Sequence, residues 1–134
     1  MAKPERYGTR SLAYSAWHRT LPDRATSLDL DSCEYCPECK AMLLLIETAR
    51  DVGQQFKATS VMQHLANQIG IPAWLVYYLV KETEQILGFR VRQVAPATGT
   101  EMQLTPEQWG QFLVEVHDTH LKVYHPAKDK AGPP

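Results

Sequence analysis

Eight consecutive apolar residues follow Pro72, and this run restricts the fold of the chain more than any other feature. The run, Ala73–Val80, is rich in β-branched and aromatic side chains, which favour a strand. It is apolar at both odd and even positions, so a strand formed by it has two apolar faces. Both faces then need cover. The sequence therefore predicts a central buried strand in a sheet that carries helices on both sides.

The other predicted elements surround this strand. Spacing, capping residues and β-prone runs predict a helix over roughly 9–20, a hairpin of Leu28–Cys36 with Met42–Thr48, a helix from Ser60 to Gly70, a strand over Phe89–Val94 and a helix that begins after Thr105. Gln63 and Gln108 complete possible capping boxes with Ser60 and Thr105. The order α-β-β-α-β-β-α predicts an α/β (α+β) fold, a mixed sheet flanked by helices.

The bulk composition excludes several classes of protein. A chain of 134 residues predicts one domain, with residues 1–8 and 126–134 as loose ends. The net charge of −1 gives no global field that attracts nucleic acid, although residues 1–24 hold five basic against two acidic side chains. The longest apolar run is too short for a bilayer, so no membrane partner is expected. Three cysteines favour a reducing, cytoplasmic setting.

Asp31 and Glu47 are predicted to face each other across the hairpin. Each lies eight residues from Cys39, at the centre of the turn Pro37–Lys40. Facing side chains of antiparallel strands are about 5 Å apart at Cβ, and like charges there destabilise the sheet. A divalent cation, Mg²⁺ or Mn²⁺, would relieve the repulsion. Asp29 shares the strand face of Asp31 and is a further candidate ligand. The alternative is that these acids face solvent.

The same segment resembles the PD-(D/E)XK nuclease superfamily. An acidic strand, a short turn and an apolar strand that ends in Glu47-Thr48-Ala49 are similar to its core. The preceding Trp17-His18-Arg19 resembles small phage-encoded members. The resemblance covers roughly residues 10–80. It implies a restriction-endonuclease-like α-β-β-β core with a second helix, metal-dependent cleavage of DNA, Asp31 and Glu47 as the catalytic acids, and His18 as an assisting residue.

One departure from the superfamily pattern affects the expected activity. The superfamily's lysine lies two residues after the glutamate, where this chain has Ala49. Lys57, near the start of the second helix, is the candidate substitute. Without a substitute we expect weak or absent cleavage, and the chain would then act as an inactive fold that binds DNA or a host protein. Arg10 and Arg19, in the basic N-terminal stretch, are the candidate contacts to DNA.

Cys36 and Cys39 form a Cys-x-x-Cys half-site of the kind that binds zinc. The second half is absent from the cysteine set, and only histidines, His117 with His120 or else His125, can supply it. Reduced thiols in a turn are the favoured interpretation, so no stoichiometric zinc is expected. A zinc-stabilised interaction module is the further alternative. The apolar stripe of the last helix is expected to be core, with a homodimer face as the alternative.

Overall fold

The computed structural model describes residues 12–28, 30–55 and 57–127 of the chain. Its elements, in chain order, are α1 (Ala13–His18), β1 (Ser32–Tyr35), β2 (Met42–Arg50), α2 (Ser60–Ile69), β3 (Ala73–Val80), β4 (Ile86–Ala95), β5 (Ala97–Leu104) and α3 (Pro106–Tyr124). The predicted class is confirmed, because helices flank a five-stranded mixed sheet. None of the described helices is long and apolar enough to span a bilayer.

The sheet has the strand order β1-β2-β3-β4-β5, so the apolar run of β3 lies at its centre as predicted. β2 and β3 pair in parallel, and every other neighbouring pair is antiparallel. A parallel pair needs a crossover, and α2 provides it between β2 and β3. The loop that enters this crossover therefore starts at the carboxyl end of β2, beside Glu47.

Each face of the sheet packs against one helix. α2 covers the face of Leu45, Leu75 and Tyr77 with its buried residues Met62 and Ala66. α3 covers the opposite face, where Trp109 packs against Trp74 with ring centroids 5.7 Å apart. The alternation of a strand puts Glu47 on the α2 face with Leu45, and it puts Glu34 on the α3 face.

The hairpin register is as predicted. Ser32 pairs with Ile46 and Cys33 with Leu45, before a bulge between Glu34 and Tyr35. β1 is shorter than the predicted Leu28–Cys36, however. The cause lies at Thr48, whose amide donates to the Asp31 carboxylate over 2.8 Å. A longer ladder would need that amide for the carbonyl of residue 30, so the side chain of Asp31 ends the strand pairing.

Three other predictions need correction or fall outside the description. The predicted order lacks β5, the exposed edge strand Ala97–Leu104, which contains Thr98, Gly99 and Thr100, small polar residues that are more typical of a turn. α2 has Thr59 as its N-cap, and Gln63 bonds the Thr59 hydroxyl over 2.7 Å in place of a capping box with Ser60. The start of the first predicted helix and the predicted loose end 1–8 lie outside the described residues, as does the predicted loose end 126–134 except for residues 126 and 127.

The cap of α3 is confirmed in full. The Gln108 amide donates to the Thr105 hydroxyl over 3.1 Å, and the Thr105 amide donates to Oε1 of Gln108 over 2.8 Å. Pro106 occupies the first turn, where a missing N–H costs nothing. This cap fixes where α3 begins, and so which of its later residues reach the hairpin.

Leu75 and Leu79 provide a matched test of the central strand. Leu75 is fully buried, whereas Leu79 is 47% exposed on the same strand. We expect Leu75→Ala to lower the free energy of unfolding by about 2–5 kcal/mol, through lost burial and a residual cavity. Leu79→Ala should cost about 1 kcal/mol or less. Urea denaturation measures both, and equal losses would contradict the central position of β3.

Candidate functional site

Glu47 is a charged side chain in the sheet core. It lies on β2 with Leu75 of β3 as its neighbour in the parallel ladder. Only 8% of the residue is exposed, and it is the one charged residue among the buried side chains of the described chain. A buried carboxylate is unfavourable unless a cation or hydrogen-bond donors compensate it. The surroundings of Glu47 therefore decide whether its charge is tolerated.

Lys57 provides the compensating cation. Its Nζ lies 2.9 Å from Oε1 of Glu47 and donates to the carbonyl of Thr48 over 3.5 Å. The hydrogen bond to Glu47 raises the pKa of the Lys57 ammonium, burial acts in the opposite direction, and the charges of Glu47 and Asp31 add to the rise. Lys57 is therefore a cation at neutral pH. It can neutralise charge and donate hydrogen bonds, but it is not available as a base.

Asp31 lies at the open end of the hairpin. Its Oδ2 accepts the Thr48 amide over 2.8 Å and the Thr48 hydroxyl over 3.2 Å. Both bonds use the same oxygen, and no described residue bonds Oδ1. Asp31 is exposed, in contrast to Glu47. The structure thus gathers Asp31, Glu47 and Lys57, which we term the acid–lysine centre, at the edge of the sheet where β1 begins and β2 continues past it.

The other sequence candidates are placed elsewhere or are not described. His18 ends α1, where its ring contacts Tyr14 and Trp17 and its Nδ1 lies 3.4 Å from the Ser27 hydroxyl. None of these contacts joins it to the acid–lysine centre. Arg19 is exposed at the C-cap of α1. Asp29 and Arg10 lie outside the described residues.

A second candidate site lies at the other end of the hairpin. The turn after β1 carries Cys36 and Cys39, and Lys40 closes it with φ of 65° while its amide donates to the Cys36 carbonyl over 2.7 Å. Burial acts to raise the pKa of the Cys36 thiol, but the amides of Cys39 and Glu38 and the Cys39 thiol outweigh it. The pKa therefore falls below its ordinary value, which favours the thiolate that binds metals.

The end of α3 brings two histidines to these thiols. His120 and His125 are five residues apart, and on a continuous helix their side chains would point about 140° apart. α3 ends at Tyr124, however, and His125 leaves the helical region with φ of −138° and ψ of 58°. Pro126 explains this, because a residue before proline disfavours the helical conformation. The break allows both imidazoles to face the turn.

The four side chains form a Cys2His2 cluster that can hold a metal ion. The ligand atoms of Cys36, Cys39, His120 and His125 all lie within 4.8 Å of one another. The Cys39 sulfur is 3.3 Å from Nε2 of His120. A tetrahedral ion with bonds of about 2.0–2.3 Å separates its ligand atoms by about 3.3–3.8 Å. Nε2 of His125 is buried and has no hydrogen-bond partner among the described residues. A bound metal ion would satisfy this nitrogen.

The prediction that the thiols lack a clear partner pair is therefore wrong. The fold supplies His120 and His125, whereas His117 is engaged with Glu34, its Nε2 2.9 Å from Oε1. The sequence carried a usable signal, because His-x₄-His lies within the His-x₃₋₅-His spacing of zinc sites. The separation from the cysteines, about 80 residues, masks that signal until the fold joins the two halves.

Comparison with known proteins adds no relative: no family model, no curated protein and no solved structure matches the chain.

Co²⁺ titration tests the Cys2His2 cluster. Thiolate ligands give bound Co²⁺ intense charge-transfer absorption, so we expect one strongly bound equivalent that saturates this signal. Cys36→Ser should weaken binding by about 10–100-fold or more, since it removes a charged ligand. Cys33→Ser is the matched control, because Cys33 lies in the same hairpin but outside the cluster. Unchanged binding by Cys36→Ser would exclude the site.

Proposed function

We propose that the chain is a PD-(D/E)XK-like nuclease that hydrolyses phosphodiesters of DNA at the acid–lysine centre. The observation that carries the proposal is the 2.9 Å contact between Lys57 Nζ and Glu47 Oε1. The superfamily pattern has a lysine two residues after the glutamate, where this chain has Ala49. Activity therefore requires a lysine from elsewhere in the chain. Lys57, from the loop after β2, lies beside the glutamate and supports the proposal as the substitute for that lysine.

The carboxylates suit a hard divalent ion, Mg²⁺ or Mn²⁺. Asp31 engages the backbone through Oδ2 and Glu47 engages Lys57 through Oε1, so each keeps a second oxygen without a described partner. Oxygen ligands from one or two carboxylates, with water and phosphate oxygens completing the shell, are what Mg²⁺ prefers. When bound, such an ion supplies an activated water and stabilises charge on the phosphate. Asp31 and Glu47 would hold it.

Lys57 acts as a fixed positive charge in this scheme. Its raised pKa keeps it protonated, so it can donate to the attacking water or to a phosphate oxygen whose negative charge grows. Preorganised donors of this kind contribute about 10²–10³ in rate. Thr48 supports the arrangement, because its amide and hydroxyl hold Asp31 and its carbonyl accepts from Lys57.

DNA is the proposed partner, and α1 is the proposed contact surface. Trp17 and Tyr14 are more than half exposed, and Arg19 follows them at the helix end. Aromatic rings with a nearby guanidinium suit stacking on bases and pairing with phosphates. The net charge of −1 gives no long-range attraction for DNA, so this binding is expected to be weak and to be detected best at low salt.

A cleavage assay tests the nuclease. Plasmid and single-stranded DNA incubated in Mn²⁺ should be cut by the wild type. Glu47→Gln should abolish cutting, and Lys57→Met should reduce it by about 10²–10³-fold, the worth of a preorganised donor. Glu82→Gln and Lys81→Met are matched controls in the exposed turn after β3 and should leave the rate unchanged.

Absence of cleavage by the wild type would contradict the nuclease. DNA binding at low salt without cleavage would then favour an inactive nuclease fold, and neither cleavage nor binding would favour a protein partner such as a host factor. Elution as a dimer in size-exclusion chromatography would favour the alternative of a homodimer, for which the apolar stripe of α3 is the candidate interface.

We also propose that the Cys2His2 cluster holds zinc and serves the structure. Two thiolates and two imidazoles in a tetrahedral arrangement are the ligands of structural zinc, which needs four protein ligands and no open position. This ion would join the β1–β2 turn to the end of α3. The cluster lies at the opposite end of β1 from Asp31, so it supports the hairpin and takes no part in hydrolysis.

Elemental analysis checks the identity of the ion. Purified protein should carry about one zinc per chain, as a closed four-ligand site implies. His125→Ala should lose most of it and unfold at a lower temperature, because metal binding contributes directly to folding free energy. His117→Ala is the matched control and should keep its zinc, since His117 pairs with Glu34. Zinc-free wild type grown in zinc-replete medium would reject the assignment.

A further inference from the structure

The loop between β2 and α2 carries Lys57, and its first half is tightly bonded. The amide of Gly53 donates to Oδ1 of Asp51 over 2.9 Å, and Nε2 of Gln54 donates to the Arg50 carbonyl over 2.8 Å. Gly53 has φ of 81°, a conformation that glycine adopts without strain. These bonds are local, however, and alone they do not fix the loop against the sheet.

Arg90 of β4 makes that connection. Its Nη2 donates to Oδ1 of Asp51 over 3.0 Å and to the Gln54 carbonyl over 2.7 Å, while its Nε donates to Oδ2 of Asp51 over 3.3 Å. Its Nη1 donates to Oε2 of Glu101 on β5 over 3.0 Å. The guanidinium is thus held from the sheet side and holds the loop at two points.

The side chain of Arg90 lies over the central strand, β3. Ala49, Tyr77 and Arg90 are neighbours in register on β2, β3 and β4. The guanidinium lies over the Tyr77 ring, 4.1 Å from its centroid, so a cation–π contact helps to hold the side chain in place. The Arg90 side chain is only 11% exposed, and a charged group shielded from solvent to this extent makes strong hydrogen bonds. Arg90 is therefore a fixed point to which the loop is attached.

We propose that Arg90 is the positioning residue of the acid–lysine centre. By clamping Asp51 and Gln54 it fixes the loop that, three residues later, places Lys57 on Glu47. This inference rests on the proposed nuclease function. Arg90 makes no hydrogen bond or ion pair with Glu47, Lys57 or Asp31, so we place its effect in the loop that it holds. The role needs arginine, because a planar fork with several donors serves two carboxylates and a carbonyl together, and lysine presents a single ammonium.

The test separates this inference from the nuclease itself. Brief acetylation of the folded protein, read by mass spectrometry, reports how accessible and how protonated each lysine is. In Arg90→Gln we expect acetylation of Lys57 to rise about tenfold, since a released loop opens locally far more often, while Lys81 and Lys122 keep their rates. Arg92→Gln is the matched control. Arg92 lies on the same strand and face and makes no hydrogen bond or ion pair with the described residues.

Cleavage kinetics supply the second reading. Arg90→Gln should lower kcat by about 10–100-fold with little change in KM, and it should have no further effect in a Lys57→Met background, because the two changes remove one interaction. Arg90→Lys should not restore the rate. Unaltered Lys57 acetylation in folded Arg90→Gln would overturn the inference.

Two contingencies keep the test decisive. Should Arg90→Gln fail to fold, Asp51→Asn, which removes the charge that Arg90 clamps, carries the same expectation for Lys57, and an unchanged rate there would refute the inference. Should the wild type not cleave DNA, a tenfold rise in Lys57 acetylation would uphold the positioning role while the nuclease fails. Cleavage that depends on Lys57 but not on Arg90 would uphold the nuclease and refute the positioning role of Arg90.

Discussion

The buried carboxylate of Glu47 is the constraint on which the candidate site depends. A charge placed among Leu45, Leu75 and Ala49 on the α2 face is unfavourable unless a cation accompanies it. The neighbouring strand positions on that face are apolar, so β2 cannot supply the cation, and it comes from the loop that leads to α2. The parallel pairing of β2 with β3 makes this possible, because a crossover helix must follow and its entry loop passes the carboxyl end of β2.

The short β1 strand is held at both of its ends by side chains and at its middle by the ladder. At one end Asp31 accepts the Thr48 amide. At the other end the side chains of the Cys2His2 cluster bring the turn and α3 together, and the Glu34–His117 pair joins β1 itself to α3. The two ends are separated by five residues, or about 16 Å in an extended strand. An edge strand of four paired residues contributes little pairing of its own, so these contacts determine how accurately Asp31 is presented.

Local patterns predicted much of this molecule. The apolar run of β3, the hairpin register and the cap of α3 depend on residues close in sequence, and all three are as expected. β5 was missed because its exposed, polar residues carry no burial signal, and β1 was overextended because the pattern cannot show a side chain replacing a backbone acceptor. The pairing of Cys36 and Cys39 with His120 and His125 depends on where α3 ends relative to the turn, which only the packed sheet determines.

The origin of Lys57 distinguishes this centre from one with a strand-borne lysine. A lysine on β2 at position 49 would be positioned by the sheet itself, because the backbone there is paired with β3. A lysine on a loop moves with that loop. Fixing the loop backbone in one conformation costs about 1–2 kcal/mol per residue in conformational entropy. The contacts of Arg90 with Asp51 and Gln54 offset that cost at the segment just before Lys57. Ala49 fits the same logic, because a small residue beside Tyr77 leaves the space above the sheet to the loop, and the cation reaches Glu47 from the edge where Asp31 already lies.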